Sequence, residues 1–203
     1  LNLAEFAHKA SGKKVFISRI SEKFEKVQKG ERNMETQTYK YPRQKINGIW
    51  LIIAGAAMFL LLIKHNGYPN VWPFIIVYTL GMIWQLNPKT RKKFAVGSGT
   101  SEQKKWANFS MMLLAILVFL IFHFVGDDYR NCWLLILLAV GIHFLMFIPV
   151  HGKMMFLLSI ILIFNSFIGL IITNVNLDVF FVIDGLVKIL VGVIFIRLSP
   201  MDF

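Results

Sequence analysis

The stretch VFFVIDGLVKILVGVIFI, Val179 to Ile196, decides the fold. Its eighteen residues carry two charges, Asp184 and Lys188, and otherwise run apolar without a 3.6-residue stripe. A helix with no polar face needs lipid or other helices around it. At ~1.5 Å per residue, eighteen residues cross most of a hydrocarbon layer about 30 Å thick. Five further runs read the same way: Ile46 to Ile63, Val71 to Leu86, Ala107 to Val125, Cys132 to Val150, and Met154 to Ile172. The second has Pro73 in its first turn, where proline is tolerated, and is read as a full span. Within lipid a helix satisfies its own backbone hydrogen bonds. Trp50, Trp72, Trp84, Trp106 and Trp133 fall near the ends of these runs. Indole prefers the headgroup layer, so the tryptophans are expected to mark the boundaries.

The composition agrees. Of 203 residues, 56% are hydrophobic and 16% charged, against roughly 25% charged in soluble domains; mean hydropathy is +0.61. That excludes a disordered chain and a typical water-soluble enzyme, and the single cysteine, Cys132, excludes a disulfide scaffold. The expected fold class is all-α, a polytopic membrane protein with six transmembrane helices.

Basic residues in short loops set the orientation of such a chain. With the N-terminus inside, eleven face the cytoplasm: Lys40, Arg43, Lys45, Lys89, Arg91, Lys92, Lys93, Lys104, Lys105, Lys153 and Arg197. Lys64 and Arg130 alone face outward. Both termini are therefore expected in the cytoplasm and the protein in the cell membrane. Brief connections at Lys64 to Asn70, Gly126 to Asn131, His151 to Lys153 and Thr173 to Asp178 force antiparallel neighbours. The loop from Asn87 to Trp106 is longer, and divides the chain into a hairpin and a four-helix up-and-down unit. Its basic run, Lys89, Arg91, Lys92 and Lys93, is read first as a topology signal and second as a contact for anionic lipid headgroups. The expected organisation is a basic segment 1–45, a membrane domain 46–196 and a cytoplasmic tail 197–203.

Leu1 to Asn33 differs from the rest, with eight basic residues against four acidic ones. Phe16, Ile20, Phe24 and Val27 recur at helical spacing, as in a basic amphipathic surface helix. A second reading fits equally. Lys29-Gly30-Glu31 is what a purine-rich ribosome-binding sequence spells when read in frame, followed by a short gap before Met34. On that reading Met34 is the initiator and residues 1–33 are translated upstream sequence.

Polar groups inside the spans carry the functional information, because a charge there costs about 2.5–3.5 kcal/mol unless shielded or paired. Asp184 and Lys188 are i and i+4, on one helix face with opposite charges adjacent. A structural ion pair is the first reading. Counting ~1.5 Å per residue puts Asn165, His143, Asp184 and Lys188 in the outer half of the membrane, with His123 nearer its edge. Such a layer could move protons or bind a small ion; the plainer reading is hydrogen-bonded glue between helices. His151-Gly152-Lys153 forms a tight turn, and Gly169, Gly185 and Gly192 permit close helix approach.

No phosphate-binding loop, HExxH, CxxC or GxSxG occurs, and the five histidines are dispersed, so no catalytic residue, metal or cofactor is predicted. The inside-facing loops account for the positive charge, so nucleic acid is not an expected partner; membrane lipids are, together with a homodimer or membrane partner. The His151-Gly152 turn and the segment Asp184 to Gly192 resemble small uncharacterised bacterial multi-span proteins known only as domains of unknown function. That resemblance implies a compact helical membrane domain and assigns no activity. The expected function is a non-enzymatic accessory, immunity-type or stress-related membrane factor; the alternative is a small transporter or ion pathway using the polar layer.

Overall fold

A computed structural model describes residues 39–199. The readings of Leu1 to Asn33, and of the tail beyond residue 199, lie outside the described residues. Eight helices make up the described chain: α1 (Gln44–Leu60), α2 (Val71–Leu86), α3 (Pro88–Phe94), α4 (Ser101–Val125), α5 (Tyr129–Leu145), α6 (Ile148–His151), α7 (Met154–Ile171) and α8 (Leu177–Leu198). A two-residue ribbon, β1 (Lys64–His65) with β2 (Tyr68–Pro69), joins α1 to α2. The fold is all-α apart from that ribbon.

Of the apolar helices, α4, α7 and α8 are long enough to cross a membrane; α1, α2 and α5 have 16 or 17 residues. Helix α2 has the bounds expected of it, and local chemistry sets where α5 and α1 stop. Helix α5 stops at Leu145, four residues before Pro149. Proline at that position lacks the N–H that would bond the Leu145 carbonyl, and its ring would clash with it. The chain makes tighter turns through Met146 and Phe147 and restarts as α6. Helix α1 ends in i→i+3 bonds from Leu61, Leu62 and Ile63, which lead into the ribbon. The ribbon's turn is Asn66-Gly67, both at positive φ, a pair of residues suited to a two-residue hairpin turn.

Helix α4 begins at Ser101, six residues before its apolar run, because Thr100 and Gln103 form a reciprocal capping box. The basic loop is not all loop: Asn87 accepts from the Lys89 amide and Pro88 takes the first helical position, which starts α3.

Except for α2 and α4, consecutive long helices pack against one another, and the most extensive interface is α1 on α8. The packing order is therefore α2, α1, α8, α7, α5, α4. Helices α2 and α4 stand at the two ends of this series and make no substantial contact with each other. The four later helices thus form an open row, and α1 of the leading hairpin is wedded to α8. Two apolar clusters hold the row. One joins Leu51, Phe144, Met155, Leu158, Leu162, Val191 and Phe195. The other joins Met58, Leu61, Leu134, Leu137, Leu177, Phe180 and Phe181.

Two clamps fix the ends. At the ribbon end, the Arg130 guanidinium donates to the carbonyls of Val175 (2.7 Å), Gly169 (3.0 Å) and Ile172 (3.0 Å), covering acceptors left open at the end of α7. Lys64 pairs there with Asp178. At the opposite, basic end, Gln103 donates to the carbonyls of Lys40 (2.8 Å) and Pro149 (3.2 Å), and Gln44 to that of His151 (2.9 Å). Trp72 and Trp106 are exposed near helix ends, but Trp50 and Trp133 turn inward, Trp50 against Tyr78 and Trp133 between Phe74 and Phe181. Both rings pack against other aromatic side chains.

Candidate functional site

Because α2 and α4 do not meet, a cleft of about 890 Å³ remains between them. Helices α1 and α5 form its floor, and Lys188 of α8 reaches its wall. Most of the lining is apolar, including Trp50, Phe74, Met111, Ile136 and Phe147. Among the described residues, the charged ones lining it are Arg43, Arg91, Lys104 and Lys188, with no Asp or Glu. Arg43 is the N-cap residue of α1, Arg91 sits in α3, and Lys104 lies in the first turn of α4, so these three share the basic end. Arg43 is half-buried, and burial, with Arg91 beside it, lowers its pKa from the usual guanidinium value. His151, at the end of α6, also lines this part of the cleft. Its imidazole is buried, and burial, with the Arg43 charge nearby, pushes its pKa down to about 3. Its Nδ1 has no hydrogen-bond partner among the described residues.

Midway along the cleft lie Lys188 and His143. Lys188 Nζ donates to Asp184 Oδ2 at 2.5 Å, and both side chains are buried. The other carboxylate oxygen, Asp184 Oδ1, has no partner among the described residues. His143 is held by Ser110 of α4: Ser110 Oγ donates to the His143 carbonyl at 2.8 Å, and His143 Nδ1 lies 2.6 Å from Ser110 Oγ and 3.0 Å from the Ser110 carbonyl. That pattern assigns the proton to Nδ1, donating to Ser110, and leaves Nε2 as the acceptor.

The structure brings Lys188 and His143 to one cavity wall and keeps Asp184 with Lys188. Asn165 stands apart, donating to the Phe180 carbonyl at 3.0 Å between α7 and α8. His123 is exposed on α4, stacked on Phe119, and does not join the others. Of the basic run, Arg91 lines the cleft, whereas Lys89, Lys92 and Lys93 are exposed. Sequence reasoning missed Arg43, Lys104, Tyr78 and Ser110 as site residues. Ser110 and Tyr78 were visible as polar groups inside apolar runs, but Arg43 and Lys104 looked like ordinary loop charges.

The model of a family of unknown function, DUF6609, matches residues 34–202. The chain belongs to this family. No curated protein and no solved structure matches it. Membership in DUF6609 brings no activity with it, so the chemistry of this DUF6609 chain is argued from its cleft.

Proposed function

We propose that this is a non-enzymatic accessory protein of the bacterial cytoplasmic membrane, which holds an apolar or amphiphilic guest in the cleft between α2 and α4. On this reading α1, α2, α4, α5, α7 and α8 are six spans and both termini are cytoplasmic. The basic end, with Arg43, Arg91, Lys104 and Lys153, then faces inward, as loop charge requires. The observation that carries the reading is the cleft itself. Its volume falls in the range of small-molecule sites, roughly 300–1,000 Å³, and its lining is mainly apolar with a few polar groups. Native mass spectrometry of the chain purified in mild detergent tests it. One retained amphiphile per chain is expected, lost when Ala107, which lines the cleft, is replaced by Trp. Equal retention by both proteins, or none by either, overturns the reading.

A second reading, an ion or proton pathway, is favoured by one observation: Lys188 and His143 share the cleft wall while Asp184 Oδ1 has no partner among the described residues. It requires proton or cation flux into proteoliposomes that Asp184→Asn abolishes; absence of flux in the parent chain removes it.

A further inference from the structure

We infer that the guest is an anionic phospholipid, its phosphate held by Arg43 and Arg91 at the basic end and its acyl chain laid along the cleft. The inference rests on the reading of the cleft as a binding site and adds the chemistry of its occupant.

Charge complementarity argues for it first. Arg43 and Arg91 line the same end of the cleft, the Arg91 charge reaches Arg43, and among the described residues no carboxylate lines the cleft. Two like charges at one end of a mainly apolar cleft repel each other, and an anion bound there would offset that cost. Guanidinium groups match phosphate oxygens bidentately, which favours phosphate over a diffuse negative charge. Lys104 adds a third cation at the same end.

A second, independent observation points the same way. His151 is 5% exposed, lines the cleft beside Arg43, and its Nδ1 meets no partner among the described residues. A buried polar nitrogen without a partner has lost its water and gained nothing in return. A headgroup hydroxyl or phosphate oxygen next to Arg43 would relieve that cost. Shape supplies the rest. From Arg43 to Met58 the cleft follows α1 for about 22 Å at ~1.5 Å per residue, enough for an extended acyl chain. The lateral gap between α2 and α4 gives such a chain a way in from the bilayer without crossing the loops.

The test uses the full chain in a neutral detergent, with its melting temperature followed as lipid is added. Dioleoyl phosphatidylglycerol is expected to raise it, and dioleoyl phosphatidylcholine at equal concentration to raise it far less. Arg43→Gln with Arg91→Gln should weaken apparent affinity for phosphatidylglycerol about tenfold or more. Lys45→Gln with Lys153→Gln removes the same charge from exposed positions at the same end and should leave that affinity unchanged. Native mass spectrometry of the unmutated chain gives a readout that does not depend on the double variant folding: phosphatidylglycerol should outcompete phosphatidylcholine for one site. Equal response to the two lipids overturns the inference while leaving an apolar guest in place. Inorganic phosphate stabilising as well as the lipid also overturns it, in favour of a small-anion site. No response to any probe overturns it along with the reading of the cleft as a guest site.

Discussion

Asp184 and Lys188 illustrate how one pair can be costly to break and cheap to remove. The carboxylate is buried and takes its single hydrogen bond from Lys188, so Lys188→Met strands a buried carboxylate with neither oxygen paired. Breaking a buried pair in this way costs about 3–5 kcal/mol, whereas replacing both partners by well-packed apolar groups is often neutral. Thermal melts are expected to rank Lys188→Met and Asp184→Leu well below the parent and the double variant Asp184→Leu/Lys188→Met near it. A double variant as unstable as either single one would contradict this. His151 gives a pH dependence with a definite sign. Its folded pKa is about 3 against an ordinary value of 6.5, so the unfolded chain binds the proton more readily between those values. The contribution is fully present above about pH 6.5 and is lost as pH falls toward 3. Melting temperatures should therefore drop on acidification through this window, and the drop should be smaller in His151→Gln. The sequence made the i, i+4 pair legible, since spacing on a helix is a local property. It did not reveal that Arg43 and His151 line the same part of the cleft, because 108 positions of chain separate them.

At the scale of elements, α1 and α8 cross at two glycine pairs. A β-carbon on Gly48 would lie 2.7 Å from the Gly192 carbonyl oxygen, and one on Gly55 2.5 Å from that of Gly185. Both helices repeat glycine every seven residues, and their antiparallel approach matches Gly48 to Gly192 and Gly55 to Gly185. Because lipid is as apolar as the side chains, helix association in a membrane depends on close packing of this kind. Gly55→Leu should push α1 off α8 and destabilise by about 1–3 kcal/mol or more, read as loss of the folded fraction in a detergent melt. The exposed Gly67, with nothing within 4 Å of a β-carbon, is a contrast. Its φ of 84° suits glycine, so Gly67→Ala should cost only about 1 kcal/mol of local strain. Gly185 and Gly192 were recognisable in the sequence as packing positions; their partners Gly48 and Gly55 were not singled out, because nothing in α1 alone says which helix it meets. The capping box at Thr100 and the proline stop before Pro149 were equally local, and both moved a helix end from where hydropathy had put it.

For the whole molecule, the six-span reading predicts that reporter tags placed after residue 203 and within the 95–100 loop report the same side, and a tag within 66–67 the opposite one. A tag pattern with the two ends of α8 on one side would reduce the number of crossings to fewer than six. The chain by itself determined that the molecule is helical and apolar, where the long runs lie, and which loops concentrate positive charge. Those properties follow from composition and from periodicities shorter than one element. Only the tertiary structure decided that α1 pairs with α8, that α2 and α4 are left apart, and that Arg43, Arg91 and His151 collect at one end of the resulting cleft. An apolar helix carries no stripe to mark its inner face, so the choice of neighbours is left to small residues and side-chain fit between segments far apart in the chain.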